Sequence, residues 1–488
     1  MDMPISPTTA HESAADAQAQ PRPLLGLREA VTLIVGIVVG AGIFKAPSLV
    51  AGMSGGAGGM FLAWLLGGAV SLAGALCYAE LSTAYAHAGG DYHFLQRAYG
   101  RAVAFLFGWA RYAVITTGSI ALLAFVFGDY LAQVAPLPGL APAWSGALYA
   151  GAAVLVLGLL NLHGLRAGSA TQTWLALAEV GGLLLVAVAA LLLPAAGAGA
   201  SAAAVDAAAA PGAGHASFGL AMVFVLLTYG GWNEAAYLSA EVRDGAVNMV
   251  RALVLAVLIV TGLYLLVTWG YWHGLGMDAL AASQAPAAEL MRRAFGAAGE
   301  QGIALLVAIS SLTSINATMI VGARTGYAMG RDWRPLAWLA RWDGRRATPT
   351  LAMLVQCGAA LLLVGIGAAL GGGFRAMVEF TAPVFWLFFL LSGISLFVLR
   401  RREPGRARPY RVPLFPLLPL LFCASCAYML WSSLSYVSSQ TLGGLNAAWI
   451  GIAVLAAGLL LLAFLHQDDA LHDALQDVKQ ANHDEESR

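Results

Sequence analysis

Long apolar runs recur along most of the chain, separated by short segments rich in Gly, Pro or Arg. A helix of about 20 apolar residues crosses the roughly 30 Å hydrocarbon core of a bilayer. The runs are continuous and lack the alternation of a transmembrane β-strand, so helices are the structure that satisfies their backbone in lipid. Twelve transmembrane helices are therefore predicted, at 29–51, 60–85, 102–133, 146–164, 169–194, 217–241, 250–274, 301–327, 350–370, 377–399, 414–436 and 446–466.

The composition also indicates an all-α integral membrane protein. Of 488 residues, 59% are hydrophobic and 11% are charged, and the mean hydropathy is +0.75. Soluble domains contain about 25% charged residues, so this chain has too little polar surface to be dissolved in water. Its formal net charge of zero provides no basic surface for nucleic acid. The predicted partner is the lipid bilayer, and nucleic acid is excluded.

Three regions follow from this pattern. Residues 1–26 are polar, and no basic segment leads into a cleavable apolar stretch, which predicts a disordered cytoplasmic N-terminus without a signal peptide. Residues 27–466 form the predicted twelve-helix domain, and residues 467–488 form a cytoplasmic tail. All four cysteines lie within apolar spans, so no disulfide is predicted.

The positive charges orient the chain in the membrane. Most Lys and Arg residues lie in loops that are cytoplasmic if the N-terminus is cytoplasmic, whereas the outer loops hold only Arg292, Arg293 and Arg375. Cytoplasmic loops of membrane proteins carry the excess of Lys and Arg. We therefore predict a multi-pass protein of the plasma membrane with both termini in the cytoplasm.

Two of the predicted spans contain residues that interrupt a helix. Span 1 reads VGIVVGAGIFKAPSLVAG, and span 6 reads VFVLLTYGGWNEAAYLSAE. Glycine in a helix interior costs about 1 kcal/mol relative to alanine, and unpaired backbone at membrane depth occurs only where it lines protein or a cavity. Paired breaks in corresponding helices point to a binding site near the midplane. Close packing of small residues, as at Gly36 and Gly40, is the alternative.

Two such breaks side by side would suit a zwitterionic ligand. Free N–H groups at the start of a half-helix favour an anionic group. Free C=O groups at the end of the preceding half-helix favour an ammonium group. An α-amino acid carries both, so it is the ligand that this backbone arrangement predicts.

At these residues the chain resembles the amino acid–polyamine–organocation (APC) superfamily, and within it the L-type amino acid transporter branch and its bacterial relatives. GAGIF (Gly40–Phe44) is similar to the family's first-helix motif, and TYGGWN (Thr228–Asn233) to its sixth-helix motif. The resemblance covers roughly residues 26–466. Three further segments are similar to its helix 2–3 loop, eighth helix and helix 10–11 loop: HAGGDYHFLQRAYG (His87–Gly100), SINATMIVGAR (Ser314–Arg324) and RPYRVPLFPLLP (Arg408–Pro419).

The resemblance implies the leucine-transporter fold in a bacterial inner membrane. Helices 1–5 (27–194) and 6–10 (217–400) would form two inverted repeats, with helices 11 and 12 (414–466) at the periphery and helices 1 and 6 broken. The substrate carboxylate would bind the first break and the ammonium the carbonyls beside both breaks. The implied substrate-binding residues are Val38, Gly40, Ala41, Gly42, Ile43, Leu227, Tyr229, Gly230 and Trp232.

Two positions depart from the family pattern. Leu227 stands where many L-type relatives have an aromatic gate, so Tyr229 or Trp232 would close the pocket instead. Glu179 aligns with a lysine that is common in the L-type branch. The pocket would be lined by Tyr229, Trp232 and aliphatic residues, so a substrate with a neutral side chain is expected. A substrate with a cationic side chain is the second candidate, because Glu234 follows the second break.

Ionisable residues at membrane depth are candidates for function. Lys45, Glu179 and Glu234 are the candidates for coupling or for an ion pair. Three interpretations stay open: Lys45 pairs with one of the two glutamates, a glutamate carries a coupled proton, or a carboxylate holds a metal ion. Snorkelling or helix capping is expected for four residues near span ends, Glu80, Arg111, Asp129 and Glu241.

A secondary active transporter, either an antiporter or a proton symporter, is the function that these features predict. The residues Gly52–Gly56 satisfy GxSxG, but they follow a membrane helix and lack the strand–turn–helix context of a nucleophile elbow. No enzyme activity, cofactor, metal site or disulfide-linked partner subunit is predicted, and protons are a candidate coupling partner. A cationic amino acid or polyamine carrier, a channel and a non-transporting sensor are the alternatives.

Overall fold

The structure is a computed structural model that describes residues 26–86, 90–163, 169–195, 213–238, 242, 245–343, 348–439 and 449–463. Within these ranges the chain is mainly helical, and Asp343 and Thr348 form an isolated antiparallel β-bridge. The predicted cytoplasmic tail and Glu241 lie outside the described residues, as does the predicted N-terminal region except Gly26.

Sixteen α-helices follow one another through these ranges. They are α1 (Leu27–Val38), α2 (Ala46–Met53), α3 (Ala57–Ala84), α4 (Gly90–Tyr99), α5 (Arg101–Ala110), α6 (Thr117–Val134), α7 (Pro142–Leu162), α8 (Ser169–Leu191), α9 (Ala213–Thr228), α10 (Gly245–Leu275), α11 (Met277–Ala282), α12 (Pro286–Asp332), α13 (Thr350–Ala369), α14 (Gly373–Arg402), α15 (Leu417–Ser439) and α16 (Trp449–Ala463). Three segments are 3₁₀-helical (Ala41–Phe44, Trp232–Leu238 and Arg334–Ala340), and Arg111–Thr116 is a π-helix.

The chain is a multi-pass membrane protein. Eight helices in the described part are long and apolar enough to cross a bilayer, and they coincide with predicted spans 2, 3, 4, 7, 8, 9, 10 and 11. Spans 1, 5, 6 and 12 are not among the eight, so the number twelve stays a prediction. The eight are Ala57–Ala84, Arg101–Val134, Trp144–Leu162, Val247–Leu275, Pro286–Asp332, Thr350–Ala369, Gly373–Arg402 and Leu417–Ser435.

The helix α12 extends well beyond its predicted span of 301–327. It runs for 47 residues with Pro286 in its first turn, where proline needs no hydrogen-bond donor. Gly296 bends it, with a φ of 66° that a residue with a side chain rarely adopts. Arg292 and Arg293 were predicted to lie in an outer loop, but they are helical. The bend at Gly296 lets two helical segments follow each other without a loop.

The α-helical conformation ends at both of the glycine-containing sites, which are called the two interruptions below. Helix α1 ends at Val38, residues Ala41–Phe44 form a 3₁₀ turn, and α2 begins at Ala46. Helix α9 ends at Thr228, and the 3₁₀ segment Trp232–Leu238 follows. Between them the chain runs through two consecutive glycines.

The two interruptions pack against each other through a glycine. Gly231 has a φ of 112°, and a Cβ atom built on it would lie 3.0 Å from the carbonyl oxygen of Ile37 in α1. Glycine is therefore required at position 231 for two reasons: its backbone conformation is unfavourable for other residues, and a side chain would collide with α1.

A buried carboxylate joins α3 and α14 near their ends. Glu80 is 0% exposed and accepts hydrogen bonds from Arg400 at 2.8 and 2.5 Å and from the backbone N–H of Val412 at 2.7 Å. Arg408 lies 3.6 Å away and adds a second positive charge. The expectation that Glu80 snorkels is wrong, because these partners hold the carboxylate inside the protein.

Candidate functional site

A tyrosine from α10 connects the two interrupted segments. The hydroxyl of Tyr264 lies 2.9 Å from the carbonyl oxygen of Val38 and 3.1 Å from that of Thr228, the last residues of α1 and α9. Carbonyls at helix ends have no partner within the helix, so a buried hydroxyl that serves both stabilises both ends. Tyr264 is 0% exposed. Tyr264 was not among the site residues predicted from the sequence.

Replacing Tyr264 with phenylalanine is expected to destabilise the protein by about 1–3 kcal/mol, because two buried carbonyls lose a hydrogen-bond donor. Tyr271→Phe on the same helix is the matched control, since the buried Tyr271 hydroxyl has no hydrogen-bond partner among the described residues. Thermal unfolding of the two purified variants in detergent measures the difference. Equal unfolding midpoints would show that the Tyr264 hydrogen bonds contribute nothing.

The first interruption lies against the end of α9. Gly42 lies beside Thr228, since a Cβ built on it would be 3.5 Å from the Thr228 methyl group. Ala41 and Ile43 are both 0% exposed. Their contact with a substrate stays a prediction.

The two aromatic residues of the predicted pocket point into the protein core. The hydroxyl of Tyr229 donates to the carbonyl of Trp64 at 3.1 Å. Trp232 packs edge-on against Tyr78 and Phe389, with ring centroids 5.2 and 5.6 Å apart. Both side chains are buried, so their surfaces are already occupied by other aromatic rings. Gating by either residue stays a prediction.

A cavity of about 530 Å³ lies next to the two interruptions. Its wall includes Gly36 and Ile37 just before the first interruption, and Asn233 and Glu234 just after the second. None of the nine implied substrate-binding residues is part of this wall, although their chain neighbours are. The rest of the wall comes mainly from the π-helical segment Arg111–Thr116 and from α6, α12 and α14.

An ion pair lies in the cavity wall. The guanidinium of Arg111 donates to both carboxylate oxygens of Glu234 at 3.0 Å. Arg111 begins the π-helical segment, a local widening of the helix that is frequent at functional sites. The expectation that Arg111 snorkels to the membrane surface is wrong, because Glu234 holds it in the cavity wall.

A second carboxylate lines the same cavity. Asp91 in α4 accepts hydrogen bonds from the hydroxyls of Tyr78 at 2.5 Å and Ser392 at 2.9 Å. Burial raises the pKa of Asp91 to about 6, although the two hydroxyls and the Arg111 charge act to lower it. Asp91 was not singled out from the sequence, even though it lies in the segment similar to the family's helix 2–3 loop.

Lys45 pairs with neither glutamate. Its ammonium donates to the Asp129 carboxylate at 2.7 Å and to the backbone and side-chain oxygens of Gln284 at 2.6 and 2.9 Å. The expected pairing with Glu179 or Glu234 is wrong, because these three acceptors already satisfy the three N–H groups of Lys45. The hydroxyl of Tyr130 donates to the carbonyl of Phe44 at 2.6 Å beside this cluster. Together these bonds connect the two residues that precede α2 to α6 and to the segment before α12.

Glu179 has a single described partner. The hydroxyl of Ser310 in α12 donates a short hydrogen bond to its carboxylate. The side chain is 5% exposed, and no cation among the described residues forms an ion pair with it. Lys45, Glu80 and Glu234 are each in an ion pair, whereas the described partner of Glu179 is an uncharged hydroxyl.

Comparison with known proteins identifies similar chains. A family model described as amino acid permease matches residues 25–455. The human b(0,+)-type amino acid transporter 1 is 29% identical over 397 residues, 81% of this chain and 80% of that protein. The serine/threonine exchanger SteT of Bacillus subtilis is 28% identical over 419 residues, 84% of this chain and 91% of that protein. The mouse Asc-type amino acid transporter 1 is 26% identical over 438 residues, 89% of this chain and 79% of that protein.

Proposed function

Because the chain belongs to the amino acid permease family of the APC superfamily, we propose that it is a secondary active transporter. It moves amino acids across the plasma membrane by alternating access. The observation that carries this proposal is the contact between two interrupted helices, bridged by Tyr264 and placed beside a cavity of about 530 Å³. Backbone groups freed at both interruptions hold the zwitterion.

The proposed fold has twelve membrane helices in two inverted halves, with two peripheral helices and both termini cytoplasmic. The interruption between α1 and α2 then breaks helix 1, and the interruption after α9 breaks helix 6. The close approach of Gly231 to Ile37 supports this arrangement, since paired breaks meet at the centre of such folds.

The substrate proposed is an amino acid with a neutral side chain. Glu234 is the residue that would attract a cationic side chain, but Arg111 already compensates its charge. A serine/threonine exchanger among the relatives is consistent with a neutral substrate. Asp91 is a second carboxylate in the cavity wall, but the hydroxyls of Tyr78 and Ser392 already donate to it, so a cationic amino acid or polyamine is the second candidate.

Transport by the reconstituted protein tests this function. Liposomes that contain the purified full-length chain are offered a panel of radiolabelled amino acids, with and without a pH gradient. Uptake or stoichiometric exchange of alanine, serine or leucine is expected. If arginine or lysine displaces the label better than alanine, serine and leucine do, a cationic amino acid becomes the first candidate and a neutral one the second. Flux without stoichiometric exchange or accumulation would indicate a channel, and binding without flux would indicate a sensor.

Glu179 is the residue proposed to couple transport to protons. An ionised carboxylate without a cation is costly in a low-dielectric interior, and the only described partner of Glu179 is the Ser310 hydroxyl. The substitution Glu179→Gln is nearly isosteric and permanently neutral. We expect it to abolish accumulation driven by a pH gradient while substrate exchange continues, as measured in the same liposomes.

Ser310→Ala provides a control for the loss of the hydrogen bond alone, since it retains the ionisable carboxyl group. Proton-driven accumulation by a well-folded Glu179→Gln carrier would rule out this role. Glu234 would then be the next residue to replace.

A further inference from the structure

Asp91 joins α4 to two other helices beside the cavity. It lies in the first turn of α4, a short helix that packs against α14 and against the 3₁₀ segment Trp232–Leu238. Asp91 is 2% exposed, and it accepts hydrogen bonds from the hydroxyls of Tyr78 in α3 at 2.5 Å and Ser392 in α14 at 2.9 Å. Hydrogen bonds from two separate helices hold this carboxylate, and therefore the start of α4, in one position.

Tyr78 connects Asp91 to the second interruption. The ring of Tyr78 packs edge-on against Trp232, with ring centroids 5.2 Å apart. Trp232 is the first residue of the 3₁₀ segment, and Gly231 directly before it approaches Ile37 of α1. Because the Asp91 carboxylate binds the hydroxyl at the end of the Tyr78 ring, it limits the rotation of the ring on which Trp232 rests. The position of Trp232, which is one of the predicted substrate-binding residues, therefore depends on this hydrogen bond.

Two charged groups of the cavity wall act on Asp91 in opposite directions. The Arg111 guanidinium favours its ionised form, and the Glu234 carboxylate disfavours it. Another charged side chain of α4 is bound elsewhere, since Arg97 pairs with Glu403. Burial is the largest influence and raises the pKa of Asp91 to about 6, although the two hydroxyls and Arg111 act to lower it. Asp91 therefore changes its charge between about pH 5 and pH 7.

We propose that Asp91 is a positioning residue of the substrate site: its carboxylate holds Tyr78 in place, and Tyr78 holds Trp232 at the second interruption. This inference rests on the proposed function, since it concerns an amino acid bound by the interrupted backbone. Hydrogen bonds to an ionised carboxylate are about twice as strong as those between neutral groups. Protonated Asp91 loses this charge and must donate a proton of its own, so it holds Tyr78 less firmly. Substrate affinity is therefore highest when Asp91 is ionised.

A fall in substrate affinity on acidification is the first expected result. With a pKa of about 6, about one tenth of Asp91 is still ionised at pH 5. The affinity of the wild type for the neutral amino acid that it binds best is expected to fall by about three- to tenfold between pH 7.5 and pH 5, since binding and ionisation of Asp91 favour each other. Competition binding to purified full-length protein, at one pH throughout each assay, measures this without a pH gradient.

Two substitutions test the two ends of the hydrogen bond. Asp91→Asn keeps the shape of the side chain but cannot ionise. At pH 7.5 it is expected to bind the same amino acid at least about threefold more weakly than the wild type, with an affinity that stays within about twofold down to pH 5. Tyr78→Phe keeps the ring but lacks the hydroxyl, and the same two effects are expected. The double variant is expected to equal either single variant, because both substitutions remove one and the same link.

Ser392→Ala is the matched control, since it removes the other hydroxyl from Asp91 and leaves the bond to Tyr78. Its affinity at pH 7.5 is expected to lie within about twofold of the wild type, because Asp91 stays mostly ionised there. The Ser392 hydroxyl acts to lower the pKa of Asp91, so its loss is expected to move the fall in affinity to higher pH.

A wild-type affinity that is the same at pH 5 and pH 7.5 would overturn the inference, and so would a wild-type pH dependence that either Asp91→Asn or Tyr78→Phe retains. Additive losses in the double variant, or an equal loss in Ser392→Ala at pH 7.5, would also overturn it. If Asp91→Asn does not yield monodisperse protein, Tyr78→Phe decides alone. A wild type that binds no amino acid at any pH would instead contradict the proposed function, so the two failures are distinguishable.

Discussion

Replacing Gly42 with valine is expected to abolish binding of the transported amino acid without preventing insertion into the membrane. Gly42 lies in the 3₁₀ turn of the first interruption, where the substrate carboxylate is proposed to bind. A Cβ atom there would lie 3.5 Å from the Thr228 methyl group, which is ordinary van der Waals contact. The backbone itself therefore accepts a side chain, but the two further methyl groups of valine would occupy the space between the interrupted segments.

The expected loss of affinity is at least about 100-fold, equivalent to about 2.7 kcal/mol, measured by competition or by ligand-induced thermal stabilisation. Gly358→Val in α13 is the matched control for insertion, since a Cβ at Gly358 meets no atom within 4 Å. Gly42→Ala should give an intermediate affinity, because its single methyl group fills less of the gap. An inserted, monodisperse Gly42→Val protein with wild-type affinity would refute the proposed position of the carboxylate.

Replacing Glu80 with glutamine is expected to lower the free energy of unfolding by about 3–5 kcal/mol, the usual cost of removing one partner of a buried ion pair. The substitution keeps the shape of the side chain but removes the charge that compensates Arg400 and Arg408. These two arginines would remain partly buried without a counter-ion. The thermal unfolding midpoint in detergent should fall by several degrees, well below that of the wild type.

Glu403→Gln is the matched control at the same end of α14. Its ion pair with Arg97 is exposed, with side-chain exposures of 26% and 37%, so the expected change is within about 1 kcal/mol. Partial burial acts to raise the pKa of Glu403, but hydrogen bonds and charge from Arg97 lower it below its ordinary value. Its small contribution is therefore present at neutral pH and is lost as the pH falls through the lowered pKa. Equal destabilisation by both glutamines would show that burial does not strengthen the Glu80 pair.

Local features of the fold could be predicted from the sequence, because they depend on residues that are neighbours in the chain. The apolar runs predict the eight long helices of the described part. The glycines of the two motifs predict interruptions where α1 and α9 end. Here the backbone conformation follows from the absence of a side chain at a few consecutive positions, such as Gly231.

The partners of the buried charges could not be predicted, since they are distant in sequence. Lys45 binds Asp129, 84 residues away, and Gln284, 239 residues away. Arg111 binds Glu234, 123 residues away. The pattern of apolar residues shows that a charge is buried, but the packing of separate helices decides which group compensates it. The same packing turns Tyr229 and Trp232 towards other aromatic rings, although their position in the motif predicts a pocket.

The hydroxyl of Tyr264 has one proton but faces two acceptors, the carbonyls of Val38 and Thr228. One proton serves both carbonyls, so the two compete for it and neither receives a full hydrogen bond of its own at all times. An ammonium group that bound either carbonyl would resolve this competition and fix the phenol proton on the other segment. The first interruption would then sense occupancy of the second through the position of a single hydrogen atom, without any movement of the chain.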